Sequence, residues 1–283
     1  MTSSGAAFAE REYNLRAAFP DHVEWFARWA ADSERARASM RMARDVRYGI
    51  GPKQTVDLFP AERPRGALLF IHGGYWRALD KDEHSFIAPP YVAGGIGVAV
   101  VNYDLCPAVS IAEIGEQCRQ AVDWLVREGE VHGVPAERLV ISGHSAGGHL
   151  TAMMFATEWK ARGTSPDAMT GGVSISGVFD LESLVDVSFN SDLGLDAQSA
   201  REVSPIHLEP RVQAPLLLAA GANETGEFIR QSRSLWERWP LCRPAARDGP
   251  LFVAGRHHFS VLAEFADPKS ELFTSTMAML DSN

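Results

Sequence analysis

The chain has 283 residues, 46% of them hydrophobic, enough to bury a sizeable core within a single domain. Its formal net charge of −9 argues against a nucleic-acid binder, which needs a basic face. Its three cysteines, Cys106, Cys118 and Cys242, have no CxxC spacing; they argue against a disulfide framework and fit a reducing cytoplasm.

The N-terminus becomes charged before any apolar run develops, unlike a secretory signal. No apolar stretch reaches the roughly 18–20 residues of a membrane span, so neither a membrane nor a nucleic acid is expected as partner. Along the chain, short apolar runs alternate with longer amphipathic segments, the pattern of βαβ units around a mostly parallel sheet. Residues 1–50 read as helical, with Phe8, Tyr13 and Leu15 followed by Trp25, Phe26 and Trp29 at helical spacing. These aromatics either pack a helix onto the body or roof a pocket. Residues 54–59 alternate polar and apolar side chains, as an antiparallel edge strand would. The runs 67–71 and 98–102 are continuously apolar, which fits strands buried on both faces. Residues 111–127 place Ile111, Ile114, Cys118, Val122 and Leu125 at helical intervals. A buried strand is expected over 138–142 and a helix over 149–157. Strands at 172–176, 215–219 and 250–253 complete the set, and 227–238 is the clearest later helix. Residues 180–208 carry Asp, Ser, Asn and Gly with scattered apolar positions. They read as an excursion off the sheet, either a lid over a pocket or a surface insertion. The whole chain is read as one domain.

The strand at 138–142 runs into Gly143-His144-Ser145-Ala146-Gly147, which matches G-x-S-x-G. In such an elbow the serine sits at a sharp strand-to-helix turn. The turn exposes its Oγ beside the first N–H groups of the helix, at the positive end of the helix dipole. Glycines two positions either side remove Cβ atoms that would collide. Ser145 is thus the candidate nucleophile. The strand at 67–71 runs into His72-Gly73-Gly74-Tyr75-Trp76. Adjacent glycines let backbone N–H groups approach a developing oxyanion, so the candidate oxyanion-hole donors are Ala146 and one or two of Gly73, Gly74 and Tyr75. His72 reads as a structural residue that ties the loop down. Tyr75 and Trp76 either line an aromatic pocket or belong to the core.

A serine hydroxyl needs a base to take its proton. After such an elbow the acid and then the base follow in chain order. Glu224, in the loop after the strand at 215–219, sits where the acid belongs, with Glu227 as the fallback. His257 and His258 follow the last strand. Adjacent side chains in an extended loop diverge, and His258 is chosen as the base, with Phe259 after it to fix the loop.

These pieces, in this order, resemble the kynurenine formamidase (arylformamidase) and hormone-sensitive-lipase-like branch of the α/β hydrolases. The resemblance runs from about Asp57 to His258 and is sharpest at HGGYW and GHSAGGHL. Arg77-Ala78-Leu79-Asp80-Lys81 and Asn102-Tyr103 look like the formamidase side. Many relatives carry Asp where this chain has Glu224. The resemblance implies an α/β-hydrolase fold, a mostly parallel sheet flanked by helices. It also implies a Ser145–Glu224–His258 triad without metal or cofactor. The implied reaction is hydrolysis of N-formylkynurenine, a related aryl formamide or a small ester through an acyl-enzyme. The expected partner is a small, aromatic substrate; a homodimer is left open. Two other readings stand beside it. A carboxylesterase would act on short-chain or aryl esters, and a catalytically silent hydrolase scaffold would bind a ligand. A metal-dependent amidohydrolase would need ligand spacing such as HExxH, which the adjacent His257-His258 pair does not supply.

Overall fold

The computed structural model describes residues 3–281. Three helices open the chain: α1 (Ser3–Tyr13), α2 (Leu15–Ala18) and α3 (His22–Ser39). The strands are β1 (Ala43–Arg47), β2 (Thr55–Phe59), β3 (Ala67–Ile71), β4 (Gly97–Val101), β5 (Leu139–His144), β6 (Met169–Ile175), β7 (Leu216–Gly221) and β8 (Leu251–Val253). They form one sheet in the order β1-β2-β4-β3-β5-β6-β7-β8. β2 runs antiparallel to both β1 and β4, while the pairs from β4 through β8 are parallel. This is the α/β-hydrolase fold that the sequence implied.

The parallel strands are apolar because helices cover both faces. Every residue of β3 and β4 is buried. Between them comes α4 (Ala88–Ala93), and α5 (Ile111–Glu128) follows β4. α5 opens on a capping box. Ser110 Oγ accepts the Glu113 N–H at 3.2 Å, and Glu113 Oε2 accepts the Ser110 N–H at 2.7 Å. Such a cap contributes about 1 kcal/mol. All ten residues of α6 (Ala146–Phe155) are buried, which places the helix behind the elbow at the centre of the molecule.

Three elements depart from the sequence reading. The helical stretch expected over 1–50 ends in β1. Its sequence, ARDVR, carries no buried residue, so an exposed edge strand leaves no apolar signature. β2 is antiparallel as expected, but β1 takes the edge and every β2 residue is buried. Its polar Asp57 is paired from outside the strand through Oδ1 alone, while its buried Oδ2 has no hydrogen-bond partner. Lys81 Nζ, on a side chain only 2% exposed, lies 3.0 Å from Asp57 and 2.8 Å from both Asp45 and Asp82. Burial alone would lower the Lys81 pKa, but these carboxylates push it up. The helix expected from 149 already begins at Ala146, because glycines hide the periodicity of its first turn.

Residues 180–208 form α7 (Asn190–Leu193) and α8 (Ala197–Glu202) between 3-10 turns at Leu181–Leu184 and Pro205–His207. Leu181, Leu184, Leu193 and Ala200 are buried, so the insertion is packed onto the body. The chain continues through α9 (Gly226–Arg238), after β7, and α10 (Leu262–Phe265) and α11 (Glu271–Asp281), after β8. Among the described residues no helix is long and apolar enough to cross a membrane.

Candidate active site

β5 and α6 meet at Ser145, which adopts φ 58° and ψ −117°. A non-glycine residue at positive φ is strained and must be held by its surroundings. Here the Ser145 N–H donates to Ile175 O at 2.8 Å, and Ser145 O accepts the His149 N–H at 3.0 Å. At Gly147 a Cβ would collide with the Ile71 carbonyl, so α6 can approach the end of β3 only through a glycine.

The glycine loop after β3 runs against this elbow. A Cβ on Gly73 would lie 3.1 Å from Ser145 Cβ and 2.9 Å from His144 O. Gly74 has φ 109°, and a side chain there would strike the Ala78 carbonyl. Tyr75, Trp76 and Leu79 are also left-handed, at φ 49°, 56° and 69°. The loop therefore coils tightly and depends on its anchors. His72 Nδ1 lies 2.8 Å from Gly73 O, and His72 stacks on Tyr103 at 4.1 Å. Tyr103 OH donates to His72 O at 2.8 Å. Burial pushes the His72 pKa down to about 4, so the ring serves as a neutral strut. Asp80 accepts from Lys53 Nζ at 2.7 Å and from Asn102 Nδ2 at 2.9 Å. Burial would raise its pKa, but these donors outweigh it and hold it at about 2.

His258 lies beyond β8. Its Nδ1 is 2.8 Å from Glu224 Oε2, and the two side chains are 2% and 0% exposed. A carboxylate only accepts, so Nδ1 carries the proton and Nε2 is left free to accept. Glu224 Oε1 accepts from the Gly221 N–H at 2.8 Å and from Ser176 Oγ. Ser176 stands at φ 52° just after β6, with its hydroxyl on Glu224. No sequence motif marks it; the only signal is a hydroxyl residue at a strand end beside the acid-bearing loop. Glu227 is held elsewhere, accepting from Tyr13 OH and from Arg230 Nε, each at 2.7 Å. His257 also turns away, with Nε2 3.0 Å from Asp21 Oδ2 and its ring stacked on Phe19 at 4.7 Å. His144 Nε2 donates to His258 O at 2.8 Å. Burial, helped by the neighbouring His258, holds the His144 pKa well below the usual histidine range, so it stays neutral.

Ser145 and His258 share the wall of an open cavity of about 610 Å³, mouth included. Gly74 and Tyr75 contribute to the wall from the glycine loop. Tyr13, Leu15, Phe26 and Trp29 contribute from the N-terminal helices, and Phe189 from the insertion. Tyr13, Phe26 and Trp29 thus both pack on the body and face the cavity, whereas Trp25 only packs on the body and Phe8 is exposed. Tyr75 OH donates to Tyr13 O at 2.8 Å and ties the N-terminal helices to the loop. Trp76 is wholly buried, edge-on to His149 at 5.0 Å, and is not part of the wall. Ala146 follows Ser145 as the first residue of α6, where N–H groups have no intrahelical acceptor.

A family model for BD-FAE matches residues 59–202, half of the chain, and spans both the glycine loop and the elbow. The chain belongs to the BD-FAE family. It is similar to kynurenine formamidase of Salmo salar, 27% identical over 260 residues that cover 88% of this chain and 85% of that one. Kynurenine formamidase of Drosophila melanogaster is 28% identical, over 80% of this chain and 78% of that one. Among solved structures, a "putative thioesterase" from Silicibacter sp. TM1040 superposes with a TM-score of 0.84 at 33% identity, covering 95% of this chain and 97% of that one. Esterase B from Lactobacillus Rhamnosis shares the fold, with a TM-score of 0.66 at 18% identity over 95% and 96% of the two chains. This BD-FAE member is a serine hydrolase, a formamidase or an esterase, acting on a small-molecule substrate. Among the described residues, Asp180, Glu182 and His207 bring potential metal-ligating atoms within 4.8 Å of one another. They lie outside the cavity wall, and Glu182 already pairs with Arg201 at 3.0 Å and His207 at 2.9 Å.

Proposed function

We propose that Ser145 is the nucleophile, His258 its base and Glu224 the acid that orients the base, acting on an aryl formamide such as N-formylkynurenine. The observation that carries the reading is the contact between His258 Nδ1 and Glu224 Oε2, beside Ser145 in an aromatic-walled cavity. Ser145 Oγ attacks the formyl carbon while its proton passes to His258 Nε2. Backbone N–H groups of Gly73, Gly74 and Ala146 receive the oxyanion; each such donor supplies roughly 2.7–4 kcal/mol. Glu224 stabilises the imidazolium that forms. His258 then protonates the leaving arylamine, and the C–N bond breaks. Water, deprotonated by His258, attacks the formyl-serine and releases formate. Tyr75, Phe26 and Phe189 supply the surface for an aromatic leaving group. The N-terminal helices and the 180–208 insertion act as the roof. The buried free thiols Cys106, Cys118 and Cys242 support a reducing, cytoplasmic setting.

The second reading is a carboxylesterase for short-chain or aryl esters, favoured by the same open cavity. A hydrolysis panel separates the two. It sets N-formylkynurenine against aryl amides, carbamates, p-nitrophenyl esters of several chain lengths and an acyl thioester. The formamidase reading expects kcat/KM for the formamide to exceed the rest by tenfold or more; a clear preference for short esters overturns it. The silent-scaffold alternative predicts no fluorophosphonate adduct, whereas the hydrolase reading predicts one, at Ser145.

A further inference from the structure

We infer that Arg16, at the cavity mouth, is the residue that recognises the carboxylate of a substrate such as N-formylkynurenine. This deepens the aryl formamide or ester reading above and rests on it. The chain as a whole has a net charge of −9. Its cavity wall runs the other way: the charged residues that line it are Arg16 and Arg77, and no Asp or Glu belongs to that wall. Each guanidinium stands over an aromatic ring of that wall. Arg77 Cζ lies 4.8 Å from the Phe189 ring centre, and Arg16 Cζ 5.9 Å from that of Phe26.

The two arginines differ in their partners. Arg77 is already neutralised by Asp192 of α7. Arg16, exposed on α2, has no ion-pair partner among the described residues. One uncommitted positive charge balances a monoanion; a phosphate dianion would need Arg77 as well. A guanidinium offers parallel N–H donors that match a carboxylate at two points. The apolar wall takes the aryl body while the carboxylate stays at the hydrated rim. The ion pair then forms without the heavy desolvation penalty of a buried one.

The test uses matched substrate pairs. One pair is an aryl formamide with a side-chain carboxylate and the same compound with hydrogen in its place; the other is the corresponding pair of aryl acetates. For each pair the ratio of kcat/KM, anionic over neutral, is measured for the wild type and for Arg16→Gln. Arg16 is exposed, and a melting curve checks that the variant folds. The wild-type ratio is expected to exceed one at low salt and to fall as salt rises. In Arg16→Gln the ratio is expected to drop about fivefold or more, through KM rather than kcat. A ratio unchanged by the substitution, including an equal loss on both members, overturns the inference. Should the enzyme cleave the acetates and ignore the formamides, the formamidase reading fails, and the acetate pair still decides the role of Arg16.

Discussion

Glu224→Gln separates a triad acid from a buried structural carboxylate. Glu224 Oε1 accepts from the Gly221 N–H at 2.8 Å and from the Ser176 hydroxyl, while Oε2 faces His258 Nδ1 at 2.8 Å. Glutamine has one acceptor oxygen. The backbone N–H of Gly221 cannot rotate away, so the amide oxygen settles at the Oε1 position and the NH₂ group faces His258. Nδ1 must then accept, and the imidazole proton moves to Nε2, the nitrogen that should take the Ser145 proton. The same acid-to-amide change in a Ser-His-Asp enzyme lowers kcat about 10⁴-fold through the wrong tautomer. That corresponds to about 5 kcal/mol of barrier. We expect a loss of 10³–10⁴ here in steady-state turnover of a p-nitrophenyl ester. The rate of fluorophosphonate labelling at Ser145 should fall in parallel, and the fold should persist by circular dichroism. Glu227→Gln is the control. Its partners are Tyr13 and Arg230, so kcat should stay within about tenfold of wild type. A Glu224→Gln enzyme within tenfold of wild type, or a large loss in Glu227→Gln alone, would refute the assignment.

Ser145→Ala should abolish hydrolysis and labelling while the melting temperature stays close to wild type; residual turnover above about 1% would point to another nucleophile. Gly74→Ala places a Cβ at φ 109° against the Ala78 carbonyl, so kcat should fall about 100-fold or more as the loop shifts. Unchanged activity would remove Gly74 from the oxyanion loop. Lys81→Met leaves Asp57 buried without its cation, and urea melts should show a loss of about 3–5 kcal/mol. Asp80 should make stability pH-dependent. Its folded pKa is depressed from 3.8 to about 2. Its contribution, on the order of 2 kcal/mol, is therefore present above the ordinary carboxylate range and lost as pH falls from about 4 toward 2. Urea midpoints measured at about pH 5 and about pH 2.5 should converge in Asp80→Asn relative to wild type.

The parallel strands were legible because burial on both faces writes itself as continuous apolar runs. β1 was not, because an edge strand with no buried residue has no such run. β2 looked like an edge because Thr55 and Asp57 are polar; the partner that lets Asp57 be buried, Lys81, lies on another loop. The pair Tyr75-Trp76 looks uniform in sequence. Both stand at positive φ, yet Tyr75 lines the cavity and Trp76 is buried outside its wall, and no periodicity encodes that split. Alternation alone indicated that His257 and His258 diverge, not which of them faces Ser145. What holds each in place, Asp21 and Phe19 for one and Glu224 for the other, is tertiary.

A physical division runs through these cases. The elbow and the glycine loop are local devices: a strained turn needs glycines at fixed offsets, and fixed offsets are visible in one chain. The cavity wall is not local. Tyr13 alone joins three regions, since its hydroxyl donates to Glu227, lies 2.7 Å from Ser183 Oγ of the insertion and accepts from Gln231 of α9. Tyr13, Arg16, Phe26 and Phe189 reach one cavity from segments that carry no motif. On the proposed triad, the reaction chemistry is carried by short patterns, whereas the cavity wall is built from residues that only folding brings together. Exchanging the N-terminal helices between relatives should therefore alter KM and the ranking of substrates more than kcat. A chimera that loses kcat for every substrate while its ranking holds would contradict that separation.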